Sequence, residues 1–283
     1  MDHTPQPVVI AVADKQPLAL RFAVDEARRR RAPLRVVHST NVPLQVAELF
    51  AGDVMTMPEE FRAAGEMVID GARHVLEDLG VGADVEYVLT PSTPIDVLMH
   101  EAENAALIVV GADDVPWLER LMRTKIAGHL AKHAPCPVVV VPERELPPGP
   151  DGEVVLTLDG RTAATGPLRF AFEEANARDC LLHVLHATPL GTLKADEEAA
   201  RARVGEVLAG WRVTYPDVAV LEGFTSDDPE AALIRATRSA ELAVLGRPHD
   251  TLLPLALTRP LAMRVLLRAQ CPVAVVPADY RGA

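Results

Sequence analysis

The 283-residue chain is 49% hydrophobic and 24% charged, with a formal net charge of −12. That much apolar matter excludes a disordered chain, and the negative balance repels a phosphate backbone, so nucleic acid is not expected as a partner. There is no run of eighteen apolar residues, and MDHTPQP at the start has neither a basic beginning nor an apolar core, so neither membrane insertion nor export is expected.

In chain order, the apolar run Val8 to Ala13 reads as a buried parallel strand, followed by an amphipathic helix over Pro17 to Arg31 with Leu20, Val24 and Ala27 on one stripe. Next come a strand at Leu34 to Thr40, a helix over Pro58 to Leu79, a strand at Ala83 to Leu89 and a helix over Pro94 to Asn104. A strand at Leu107 to Gly111, a helix near Ile126 to His133 and a strand at Pro137 to Pro142 complete the first half. Asn41 to Glu66 is rich in Leu, Val, Met and Phe, and reads as a lid or contact surface, or as plain capping of the core. ELPPGPDGE, from Glu145 to Glu153, has three prolines and two glycines and reads as a short stiff linker. Strands then recur at Val154 to Asp159, Leu181 to Ala187, Val218 to Phe224, Leu242 to Gly246 and Pro272 to Pro277.

The second half repeats the first. Thr93 to Pro142 aligns without a gap to residues 135 positions later, pairing Gly111 with Gly246, Cys136 with Cys271 and Pro142 with Pro277. RFAVDEA at Arg21 to Ala27 answers RFAFEEA at Arg169 to Ala175 at a spacing of 148, as His38 answers His186, so the first copy carries 13 extra residues. A repeat of this length suits a complete domain. The expected organisation is a first domain over 1–144, a linker over 145–153 and a second domain over 154–283. Alternating strands and helices imply parallel α/β sheets covered on both faces.

The strand ending in Val-His, the Ile-Val-Val-Gly at Ile108 to Gly111 and above all HAPCPVVVVP at His133 to Pro142, each echoed in the second copy, resemble the universal stress protein family in tandem form. The resemblance implies two doubly wound, Rossmann-like sheets of the adenine nucleotide alpha hydrolase type, five strands each in the order 3-2-1-4-5. It also implies dimer-like pairing through the last strands and a ligand at the carboxyl ends of strands one and four. Pairing of Val138 to Val141 with Val273 to Val276 inside one chain would cover two apolar edges, with further homodimerisation open through other surfaces.

Family members that bind ATP resemble one another in a loop of Gly, two residues, Gly, nine residues, Gly and Ser or Thr. Counting from Gly111, the later positions hold Asp114, Thr124 and Lys125; from Gly246 they hold His249, Arg259 and Pro260. One carboxylate about 4 Å from a phosphate costs about 1 kcal/mol in water-like surroundings and about 4 kcal/mol at an intermediate dielectric. Asp113 and Asp114 therefore oppose nucleotide, side chains block close backbone approach, and Pro260 has no N–H to donate. The family's strand-one aspartate aligns with Ala13, followed by Asp14, in the first copy and survives as Asp159 in the second.

The expectation is no cofactor, with ATP as the alternative. Asp159, Ala187, Gly246, Arg247, His249 and Arg259 are the candidate anion or nucleotide residues. Against this stands a reading of the basic residues as solvated loop, with Thr258 capping a helix and Pro260 in its first turn. His38 and His186 read as structural, Cys136 and Cys271 as buried inert thiols, Arg28 to Arg31 as a solvated helix end, and Pro216, Pro229 and Pro254 as turn or helix-start markers. No catalytic triad spacing is recognised, nor any metal-ligand spacing among the nine histidines. Three cysteines without a CxxC pair fit a reducing cytoplasm. The functional expectation is a non-enzymatic cytoplasmic stress-response protein acting through protein partners of unknown identity or a small ligand. A nucleotide sensor built on the second copy is the alternative, and a hydrolase or nucleotidyl-transfer enzyme is disfavoured by the missing constellation.

Overall fold

The computed structural model describes residues 5–13, 16–40, 59–81, 85–112, 126–143, 152–158, 165–187, 194–247 and 261–282. The chain divides into two compact units, Met1–Glu143 and Arg144–Gly282.

The first unit runs β1 (Val8–Ala11), α1 (Pro17–Arg30), β2 (Leu34–Ser39), α2 (Glu59–Asp78), β3 (Val85–Thr90), α3 (Pro94–Ala102) and β4 (Leu107–Ala112). A helix over 126–133 (α4) and β5 (Val138–Pro142) complete it. All pairs are parallel and the order is β3-β2-β1-β4-β5, with Ile10 of β1 between Val36 of β2 and Val109 of β4. The second unit runs β6 (Glu153–Leu158), α5 (Thr165–Arg178), β7 (Leu181–Ala187), α6 (Lys194–Thr214), β8 (Val220–Thr225), α7 (Pro229–Ala236), β9 (Ala240–Gly246), α8 (Leu261–Leu266) and β10 (Val273–Val276). Its order, β8-β7-β6-β9-β10, is the same 3-2-1-4-5 arrangement, again all parallel.

The third strand of the second unit starts later than its apolar run suggests. Tyr215 to Val218 form a turn, with the Val218 N–H donating to the Tyr215 carbonyl at 3.3 Å, so Val218 packs into the core from outside the ladder. Of Asn41 to Glu66, residues 41–58 and any lid they form lie outside the described residues; residues 59–66 open α2. Proline at the first turn starts α1, α3 and α7, the last two capped by Thr93 and Asp228, whose side chains accept the Asp96 and Ala231 N–H groups.

Both first helices end alike. Arg31 and Asp179, 148 positions apart, take φ of 51° and 52°, and the next N–H turns back to Ala27 at 2.9 Å and to Ala175 at 3.1 Å. The arginine run before the first of these ends is not simply solvated. Glu26 is buried, and a buried carboxylate needs partners: Arg29 reaches it at 3.0 Å and Arg30 at 3.3 Å, while Arg28 donates to the Leu79 carbonyl at 2.9 Å. The second unit repeats the pair as Glu174 and Arg178 at 2.8 Å.

Both units also tie the start of the first helix to the end of the last strand. The Glu143 carboxylate accepts the Leu18 and Ala19 N–H groups at 3.2 and 2.9 Å. In the second unit the Gly166 N–H donates to the Ala278 carbonyl at 3.1 Å. That closeness requires glycine, because a Cβ at Gly166 would stand 2.1 Å from the Pro277 oxygen. Gly166→Ala is expected to cost about 1–3 kcal/mol of stability, read as a lowered urea midpoint; an unchanged midpoint would show that the terminal segment yields freely.

Candidate functional site

Strand order reverses beside β1, where crossovers leave to opposite faces and a crevice opens at the strand ends. In the first unit it forms a cavity of about 80 Å³. Ala11 at the end of β1, Val12 and Ala13 after it, Val37 and Ser39 of β2, Val110 and Gly111 of β4, Pro94, Val97 and Leu98 of α3 and Ile126 of α4 line it, together with Gln16.

Gln16 is the side chain that sequence reasoning missed. It is 2% exposed, its Oε1 accepts the Ala13 N–H at 3.3 Å, and its amide lies so close to Gly111 that a Cβ there would stand 2.6 Å from Nε2. The glycine from which the phosphate-loop spacing is counted is thus covered by the chain's own amide. The position 148 residues on is Ala164, and that difference between the copies was the one available signal.

Beside the cleft, the Glu143 carboxylate sits on the positive end of α1, a place otherwise suited to an anion. Burial raises its pKa and outweighs the two backbone donors, which lower it.

His38 Nδ1 lies 2.7 Å from the Val12 carbonyl and His186 Nδ1 lies 2.9 Å from the Leu158 carbonyl. Each ring ties the second strand of its unit to the end of the first, as the structural reading expects. Cys136 and Cys271 are buried, and burial pushes the Cys271 thiol up to about 12, far from a reactive thiolate.

Of the second-unit candidates, Ala187 ends β7 and Gly246 ends β9, the neighbours of β6, so the fold brings these two to the same strand-end edge. Arg247 follows, its N–H donating to the Val276 carbonyl at 2.9 Å. Asp159, His249 and Arg259 lie outside the described residues, as do Asp14, Asp113, Asp114, Thr124, Lys125, Thr258 and Pro260. Among the described residues an added Cβ at Gly246 would meet the Pro167 Cγ at 3.4 Å, an ordinary contact.

Among the described residues no group of three or more His, Cys, Asp or Glu is placed to hold a metal ion. One histidine spacing does carry geometry, however. His129 and His133 stand four apart on α4, with ring centres 4.6 Å apart.

The fold and its strand-end clefts define a tandem doubly wound α/β protein. The model of the universal stress protein family matches residues 5–142 and again 152–277, and the chain belongs to that family in its tandem form. It is 29% identical over 245 residues to universal stress protein Rv2623 of Mycobacterium tuberculosis, covering 81% of each chain. Universal stress protein Rv2028c of the same organism is 28% identical over 283 residues, covering 98% of each. The crystal structure of a universal stress protein from Archaeoglobus fulgidus matches with a TM-score of 0.67 at 16% identity, covering 97% of this chain and 96% of that one, a likeness of fold. Among the described residues no helix is long and apolar enough to cross a membrane.

Because burial raises the Glu143 pKa, the folded chain holds that proton more tightly than the unfolded chain. The stabilising contribution is complete below the ordinary value of 4.5 and is lost as pH rises through the raised value. The stability of the wild type relative to Glu143→Gln is therefore expected to fall as pH rises above the ordinary value of 4.5 in urea unfolding. A rise instead would mean that the two backbone donors, not burial, dominate.

Proposed function

We propose that this universal stress protein is a non-enzymatic, cytoplasmic stress-response protein that acts by binding a partner or a small ligand, and that its first unit does not take ATP through a glycine loop. The observation that carries this reading is Gln16 packed on Gly111. Backbone amides cradle a phosphate only where the chain can be approached closely, and here a side-chain amide already occupies the approach.

The dimensions support the same reading. A cleft of about 80 Å³ is well below the roughly 300–1,000 Å³ of pockets that hold drug-sized ligands. Its described lining is mostly aliphatic, with the Gln16 amide and the Ser39 hydroxyl as polar side chains. Such a site suits a small neutral ligand better than a triphosphate. The non-enzymatic part rests on the sequence, where no nucleophile and base fall at a recognised spacing.

One observation favours a second reading, an adenine-nucleotide sensor in the second unit. Among the described residues Gly246 has ordinary clearance, and the residue corresponding to Gln16 is Ala164. Asp159, Arg247, His249 and Arg259 would then supply the polar contacts near Ala187 and Gly246.

Calorimetric titration of the full chain with magnesium-ATP tests both. The expected outcome is no heat beyond dilution and no thermal shift. Saturable binding abolished by Arg259→Ala would establish the sensor, with stabilisation of about 2.7 kcal/mol at a hundredfold excess over the dissociation constant. Saturable binding that survives Arg259→Ala but is strengthened by Gln16→Gly would place nucleotide in the first unit and overturn the proposal.

A further inference from the structure

The two copies differ in what the outer face of their fourth helix gathers. At a spacing of 135, His129 and His133 of α4 correspond to Arg264 and Arg268. In the second unit those arginines converge on one carboxylate: Arg264 Nε lies 3.2 Å from Glu230 Oε2, and Arg268 Nη1 lies 3.1 Å from Glu230 Oε1. The residue corresponding to Glu230 in the first unit is Ile95. Where the second unit has two cations clamped on an anion, the corresponding positions of the first hold two imidazoles and an aliphatic residue.

We propose that His129 and His133 form a two-point binding site for a single divalent transition-metal ion, Cu²⁺ in preference to Ni²⁺ or Zn²⁺. An imidazole nitrogen binds such an ion at about 2.0 Å, which puts the ring centre about 3.2 Å from the metal. Two rings bound at a right angle then have centres about 4.5 Å apart, and the observed separation is 4.6 Å. The preference for Cu²⁺ follows from the order in which imidazole sites bind divalent first-row ions, where Cu²⁺ stands above both Ni²⁺ and Zn²⁺.

The helix holds the pair in place. Ala127, Leu130, Ala131 and Ala134 are buried on its inner side, and His129 and His133 lie on its exposed side. The Ala134 N–H still donates to the Leu130 carbonyl at 2.8 Å, so the last turn is ordered around both rings. Both histidines lie near the carboxyl end of the helix, where the backbone dipole favours a cation. Lys132, between them in sequence, is the cationic side chain nearest along the chain and opposes binding by charge. Water or a buffer anion completes the coordination shell of an ion held by two side chains.

The test is a titration of the full, untagged chain carrying His3→Ala, which removes a competing imidazole near the start of the sequence, with Cu²⁺ and separately with Ni²⁺. The expected result is one equivalent bound, with a copper electron paramagnetic resonance spectrum split by two imidazole nitrogens. His129→Ala and His133→Gln should each weaken binding at least tenfold, the double variant should do no further damage, and His74→Ala should leave binding unchanged. Because both positions are exposed, thermal unfolding of the metal-free variants should match the parent. Equal affinity and an unchanged spectrum in the His129 and His133 variants would overturn the proposal, as would the absence of binding at micromolar metal.

Discussion

Each unit depends on a strand that has no free side. β1 is flanked by β2 and β4, β6 by β7 and β9, and Val8, Val9 and Ile10 of β1 and Val154, Val155 and Leu156 of β6 are all buried. A parallel strand in that position cannot be reached by a hairpin, so the chain must return through a helix every time. Once the returns on one side go over one face and those on the other side over the opposite face, the first loops part and a crevice opens. Apolar side chains along both faces of the central strand are therefore a cause of the cleft as well as of the core.

What the chain does with that crevice is where the copies part. In the first unit, Gln16 fills the opening over Gly111 and Glu143 occupies the amino end of the adjoining helix. In the second, the corresponding positions are Ala164 and Ala278, and a backbone carbonyl rather than a carboxylate meets the first helix. Duplication preserved the requirement that the helix end be satisfied and left its chemistry free to change. The same freedom shows on the fourth helices, where the two arginines that clamp a carboxylate in one unit correspond to a histidine pair in the other.

Much of the fold was legible because the strands are short, nearly continuous valine, isoleucine and leucine runs, the pattern of buried parallel strands, and because the repeat supplied every element twice. The ends of elements were less legible: nothing in Val218-Ala219 distinguishes a residue packed from a turn from one in a ladder. Arg28 to Arg31 looked like an ordinary basic helix terminus, since the buried carboxylate they serve, Glu26, sits in a helical repeat among many exposed acids. The glutamine before Pro17 reads as a turn residue in one dimension. Only the register of β1 against β4 brings it onto a glycine almost a hundred residues away. The histidine spacing was visible, but its meaning required knowing that the opposite side of α4 is buried.

The carboxylate at the end of the first unit also has a mechanical consequence. Glu143 is the last described residue before the connecting segment, and it directly follows a strand paired to its neighbour from Ile108↔Val138 to Ala112↔Pro142. A pull along that strand loads the ladder bonds together in shear, rather than opening them one after another. The tension also passes through Glu143 into the backbone of α1, an element already fastened at its far end by the buried Glu26 cluster. Tension on β5 is thereby passed into a helix as well as into the sheet.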